Sequence, residues 1–177
     1  MKLLPGDIII TRSRGTLFGK LILKIMRMFQ NDRVKYQHIA MVVNNDMAIE
    51  ALSKVELTCL KNRFSQFEKY KIIRCRTINN EERQNIVDIA LQLEGVNYSF
   101  CRLFFQFLDQ IFQTNFFTNQ IRDPRFQICS SLVAWAYHMA VNIEFNNVDW
   151  KSCEPDDIDD ESIKNPNMWK TIIEWER

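Results

Sequence analysis

The sequence has few of the residues that mark linkers and metal sites. It contains only four glycines and four prolines in 177 residues, which does not favour a long flexible linker or a disordered region. It contains only two histidines, His38 and His138, and this number excludes a histidine-rich metal site. Its five cysteines include no Cys-x-x-Cys pair, so neither a zinc ribbon nor a thioredoxin-like redox motif is supported.

Neither sign of charge dominates, since 23 basic residues stand against 22 acidic residues and the net charge is +1. This balance provides no global field that would attract nucleic acid. Pro5, Gly6 and Asp7 interrupt the apolar N-terminus, which does not fit a secretory signal, and no stretch approaches the length of a membrane span. We therefore expect a cytoplasmic protein whose cysteines are mostly free thiols.

The length fits one domain with a sizeable core, and we expect residues 1–177 to form a single domain. Strand patterns come early in the chain and most helix patterns come late, which predicts an α+β fold with an antiparallel sheet. The strand that starts at His38 is apolar on both faces and should be central in that sheet. We expect Asn80 to cap the helix that follows the last strand. The predicted strands span residues 7–11, 38–43, 47–52, 55–59 and 71–76, and the predicted helices span 16–29, 80–93, 99–112 and 128–140.

Two predicted helices have a second interpretation besides packing on the core. Thr16–Phe29 has an apolar stripe opposite a basic side, which is usually a solvated face but would also suit anionic lipid or a polyanionic substrate. The helix that starts at Ser99 has a strongly aromatic stripe. Core packing explains such a stripe, and the wall of an apolar substrate pocket is the functional alternative.

Cys129 lies in the first turn of the helix predicted at 128–140. The side chains that share its face are small and apolar, which predicts a buried helix. A helix N-terminus stabilises a thiolate, and the same N–H groups can bind a developing oxyanion. Cys129 is therefore a candidate nucleophile, although a small buried hydrophobic residue is the ordinary role of a single cysteine. The residues on this face are Cys129, Leu132, Val133, Ala136 and Ala140.

A thiolate nucleophile needs a base, and the base needs a group that orients it. His138 is nine residues further along the same helix, about 13 Å by helical rise, which leaves His38 as the candidate base. If the hairpin loop is residues 44–46, Ala40 faces Glu50, and Glu50 is a diagonal neighbour of His38 on the same face. A two-residue loop would put Glu50 on the opposite face. The alternatives are a core histidine for His38 and a solvent-facing carboxylate for Glu50.

Several stretches together resemble the circularly permuted branch of the NlpC-type, papain-like cysteine hydrolases, close to the YiiX group. They occur in the family's order and cover most of the chain. They are PGDIIITRSRG at 5–15, HIAMVV at 38–43, AIEAL at 48–52, GVNYSF at 95–100, CSSLVAWAY at 129–137 and PDDI at 155–158.

The resemblance implies a permuted papain-like fold in which the histidine precedes the cysteine. It implies that Cys129 is the nucleophile, that His38 is the general base and that Glu50 orients the imidazole. Tyr98 matches a tyrosine that lines the site and whose hydroxyl helps to hold the oxyanion or the substrate. We expect no cofactor and no metal. The chain departs from the usual pattern at Ser131 (usually Glu), Gln37 (often Ser) and Ser99 (often Asp), none of which belongs to the triad.

The function expected from these residues is a cysteine hydrolase that cleaves an amide through an acyl-enzyme on Cys129. The substrate would be a cell-wall peptide or another peptide with a free amino end. A lipid acyl hydrolase or acyltransferase similar to lecithin:retinol acyltransferase is the alternative, with peripheral membrane contact through Thr16–Phe29. A non-catalytic module on the same fold that binds a peptide or acyl compound, and a structural domain without a site, are the further alternatives. None of these expected functions involves nucleic acid.

Overall fold

The computed structural model describes residues 2–13, 35–97, 114 and 129–177. The predicted helices at 16–29 and 99–112, and Tyr98, lie outside these residues. Within the described ranges, no helix is both long enough and apolar enough to cross a bilayer. The four cysteines in these ranges are all free thiols.

The described strands form one antiparallel sheet in the order β4-β3-β2-β1-β5-β6. The α+β fold with an antiparallel sheet is confirmed, and β2 lies inside the sheet as its apolar faces predict. The strands are β1 Ile8–Ser13, β2 His38–Val42, β3 Met47–Ala51, β4 Val55–Cys59, β5 Phe67–Cys75 and β6 Trp169–Glu176, and the helices are α1 Leu60–Phe64, α2 Asn80–Leu91, α3 Cys129–Val141 and α4 Pro155–Lys164.

The core lies mainly on one face of the sheet, where α3 packs against α2, β2 and β3. Alternate residues of the strands point into this core, among them Ile39 and Met41 of β2, and they meet Leu132 and Val133 of α3. The residues between them, including Ala40, form a smaller buried cluster on the other face. Both faces of β2 are therefore covered, which explains why its sequence does not alternate between apolar and polar residues.

Three features of the chain differ from the sequence prediction. The N-cap of α2 is Asn79 and not Asn80, because the Asn79 side chain accepts the N–H of Glu82 at 3.0 Å and the Glu82 side chain accepts the N–H of Asn79 at 2.8 Å. The tail contains a ten-residue helix that begins at Pro155 and the eight-residue strand β6, neither of which is among the predicted elements. The short helix α1 also follows β4 directly.

Candidate active site

The hairpin between β2 and β3 sets the register of the site. The N–H of Val43 donates to the carbonyl of Met47 at 2.9 Å, and Ala40 pairs with Glu50. The Asn44 side chain accepts the N–H groups of Asp46 and Met47, which stabilises the loop at 44–46. The predicted three-residue loop and register are confirmed, and Glu50 lies on the same face as His38.

His38 and Glu50 are in direct contact. His38 Nε2 lies 2.6 Å from Glu50 Oε2. Glu50 is only 1% exposed, so its interpretation as a solvent-facing carboxylate is wrong. Because Nε2 faces Glu50, Nδ1 is the ring nitrogen that remains to exchange a proton with another group. Glu50 therefore fixes both the orientation of the imidazole and the nitrogen that it offers.

Cys129 is the first residue of α3 and is 6% exposed. Its side chain is hydrogen-bonded to the His38 side chain, and the backbone at Ile39 and Ser130 also hydrogen-bonds to the sulfur. His38 is the first residue of β2. His138 lies near the other end of α3, where its Nδ1 is 3.6 Å from Glu144 Oε1. The structure thus brings Cys129, His38 and Glu50 together and leaves His138 apart.

The charges at the site stabilise one another. Burial alone would lower the pKa of His38, but the charge and hydrogen bond of Cys129, followed by those of Glu50, raise that pKa from 6.5 to about 10. Burial raises the pKa of Glu50, but His38, Arg63 and Thr58 together lower it to about 2. Burial also raises the pKa of Cys129, yet the charge and hydrogen bond of His38 outweigh this and hold it below its usual value of 9.0. Both shifts favour a thiolate beside an imidazolium over the neutral pair.

Two residues that the sequence did not identify also bind Glu50. Thr58 Oγ1 donates to Oε1 at 2.5 Å, and Arg63 contacts both carboxylate oxygens. The parity argument used for the first hairpin could have identified Thr58, because it pairs with Ala48 and is thus diagonal to Glu50. Arg63 belongs to the short helix α1, and no periodic pattern in the sequence indicates where this helix begins. The predicted site residue Tyr98 lies outside the described residues.

The raised pKa of His38 makes one contribution to stability dependent on pH. The favourable interactions of its charged form are fully present below pH 6.5 and are lost as the pH rises through about 10. We expect the difference in unfolding free energy between the native protein and His38→Gln to be larger at about pH 6 than at about pH 10.5. Urea unfolding of both proteins at the two pH values, under reducing conditions, measures this difference in unfolding free energy. A difference that stays constant across this range would contradict a stabilising charge on His38.

Comparison with known proteins points to one family. The family model described as permuted papain-like amidase enzyme, YaeF/YiiX, C92 family, matches residues 2–164. A crystal structure of metalloprotein yiiX from Escherichia coli O157:H7 has a TM-score of 0.58 at 19% identity, over 98% of this chain and 89% of that chain, which shows a shared fold. No curated protein sequence matches. Among the residues that the structure describes, no three His, Cys, Asp or Glu side chains are grouped to hold a metal ion.

Proposed function

The chain belongs to the C92 family of permuted papain-like amidases, and we propose that it hydrolyses an amide bond in a peptide through an acyl-enzyme on Cys129. The observation that carries this proposal is the continuous contact from Cys129 through His38 to Glu50. This contact supplies a nucleophile, a proton carrier and an orienting carboxylate in the order that acyl transfer needs. The lowered pKa of Cys129 supports attack by a preformed thiolate.

The proposed reaction has two stages. The Cys129 sulfur attacks the carbonyl carbon, and the His38 imidazolium gives its proton to the leaving nitrogen as the carbon–nitrogen bond breaks. The neutral imidazole then takes a proton from water, whose oxygen attacks the thioester carbon, and the carboxylic acid leaves. The N-terminus of α3 is suited to stabilise the oxyanion in both stages, because the backbone N–H of Ser130 faces the sulfur and the helix dipole favours negative charge there. Tyr98 is a further candidate for this role.

The proposed substrate is a peptide, in a cell wall or with a free amino end. The family's description as an amidase supports an amide over a lipid ester. The two sequence features that favour a lipid, the basic helix at Thr16–Phe29 and the aromatic helix that starts at Ser99, lie outside the described residues. A binding module without turnover has no need for a paired thiolate and imidazolium, so the ion pair argues against that alternative.

The reactivity of the thiol gives a test that needs no known substrate. We expect iodoacetamide at about pH 6 to alkylate Cys129 at least about tenfold faster than Cys59, because an ordinary thiol is almost fully protonated at this pH. Cys59 is the control, since it is more exposed than Cys129. Mass spectrometry of the peptides measures both rates. Equal alkylation rates for Cys129 and Cys59, together with an unchanged Cys129 rate in His38→Ala, would contradict the proposal.

The choice between peptide and lipid requires substrates of both kinds. Peptidyl coumarin amides with free and blocked amino ends, and fatty-acyl nitrophenyl esters, give a direct comparison. We expect an acyl adduct on Cys129 from the peptide amides, detected as a mass increase after rapid acid quench. An adduct from the fatty-acyl esters alone would replace the peptide proposal with the lipid one.

A further inference from the structure

The carboxylate of Glu50 accepts three hydrogen bonds and makes one further close ion-pair contact. Its Oε2 contacts His38 Nε2 at 2.6 Å and Arg63 Nη2 at 2.8 Å. Its Oε1 contacts Thr58 Oγ1 at 2.5 Å and Arg63 Nε at 2.7 Å. The Nε contact is an ion-pair contact only, because the N–H at Nε has no hydrogen-bond partner. The three hydrogen bonds fix the orientation of the carboxylate, and Arg63 supplies one of them together with the ion-pair contact.

Arg63 holds Glu50 in a way that few other side chains could. The guanidinium donates one hydrogen bond from Nη2 to Oε2, and its Nε lies 2.7 Å from Oε1 in an ion-pair contact without hydrogen-bond alignment. The Arg63 side chain is 18% exposed, and its Nη1 donates outward to the exposed Gln66 at 2.7 Å. A lysine at this position would keep the charge but, with a single nitrogen, could not reproduce the separate contacts with Oε1, Oε2 and Gln66.

Arg63 also completes the charge balance of the site. Cys129 and Glu50 carry negative charge, and His38 and Arg63 carry positive charge, so these four groups together are neutral. Without Arg63 the buried group would have a net negative charge, and it would take up a proton more readily. The thiolate of Cys129 would then persist only at higher pH.

We propose that Arg63 is a positioning residue for the reaction, which fixes the Glu50 carboxylate against His38 and thereby sustains the thiolate of Cys129. This inference rests on the proposed function. It adds a fourth residue to the site, which acts through Glu50 and does not touch the substrate. Thr58 and Arg63 come from one short segment, the end of β4 and the helix α1, so this segment serves as the support for the triad.

The test compares the pH dependence of Cys129 alkylation by iodoacetamide in three variants. In Arg63→Met we expect the midpoint of thiolate formation to rise by about one pH unit and the rate at about pH 6 to fall about tenfold, because one positive charge beside the carboxylate is lost. Arg63→Lys should restore most of the midpoint but not the rate of amide hydrolysis, since it keeps the charge and loses the rigid guanidinium that contacts both oxygens. Gln66→Ala, the matched control, should leave the midpoint of thiolate formation unchanged and the rate of amide hydrolysis within about twofold of the native rate.

A double-mutant cycle separates this role from a structural one. In a Glu50→Gln background, Arg63→Met should add little further shift if Arg63 acts through Glu50. An equal shift in both backgrounds, or an unchanged profile in Arg63→Met, would overturn the inference while leaving the proposed function intact. If the native protein itself shows no reactive thiolate near pH 6, the proposed function fails first. Should Arg63→Met fail to fold, Arg63→Lys decides the matter, because unchanged hydrolysis in that variant contradicts the inference.

Discussion

Replacing Cys129 with alanine is expected to reduce amide hydrolysis by about 10⁴-fold or more, because the reaction loses its nucleophile. Cys129 adjoins the only imidazole within its reach, and it lies where the N-terminus of α3 favours negative charge. The measurement is the initial rate on the peptidyl coumarin amide that gives the highest rate with the native protein. Cys59→Ala is the matched control, since it removes a more exposed thiol from another strand, and it should keep nearly full activity.

The same experiment tests whether Cys129 and His38 act as a unit. Residues that share one chemical step are strongly non-additive, so His38→Ala should approach the loss of Cys129→Ala and the double variant should be no worse than either. Losses that multiply would mean that the two residues act in separate steps. Activity in Cys129→Ala close to that of Cys59→Ala would place the nucleophile elsewhere in the chain.

The parts of this site that the sequence predicts correctly depend on local rules. Strand parity and a three-residue loop are enough to place Glu50 on the face of His38, because one residue of slip would reverse every side chain. The rise of a helix is enough to separate His138 from Cys129. Both arguments need only the spacing of residues within one element or one hairpin.

The parts that the sequence does not predict depend on tertiary contacts. Arg63 reaches Glu50 from a five-residue helix, which is too short to produce a periodic pattern. The strand β6 is mostly exposed at the edge of the sheet, so its sequence lacks the alternation of a half-buried strand. The N-cap of α2 is an exception, because the sequence could have predicted it: Glu82 lies three residues after Asn79 and completes a capping box, whereas Arg83 lies three residues after Asn80.

Asp7 shows how a short sequence motif becomes a structural requirement. It ends the turn at Pro5 and Gly6, where Gly6 adopts a φ of +80° that favours glycine. Its backbone exchanges hydrogen bonds with its surroundings, since its carbonyl accepts the N–H of Val42 at 2.8 Å. Its side chain is completely buried, and Arg74 donates to its two oxygens at 2.8 Å and 2.6 Å. The turn therefore joins β1 to the end of β2 that is opposite His38.

Asp7 is the buried partner of Arg74, and Arg83 Nη1 also lies 3.8 Å from it. We expect Asp7→Ala to lower the unfolding free energy by about 3–5 kcal/mol, because both arginines lose this carboxylate. Such a loss is a large part of the stability of a typical domain. Asp7→Asn keeps the shape and one acceptor oxygen but loses the charge, so it should fall between alanine and the native protein. Urea unfolding measures all three, with the exposed Asp88→Ala as a surface control expected to change stability by less than about 0.5 kcal/mol.

The expected result also separates stability from chemistry. Asp7 and His38 lie at opposite ends of the pairing between β1 and β2, so the folded fraction of Asp7→Asn should keep the native pH profile of Cys129 alkylation. A profile displaced as far as that of Arg63→Met would mean that the turn at Asp7 also sets the position of His38. Asp7→Ala could instead lower the unfolding free energy as little as Asp88→Ala does. That result would show that water solvates Arg74 and Arg83 as favourably as this carboxylate does, and that the motif only forms the turn.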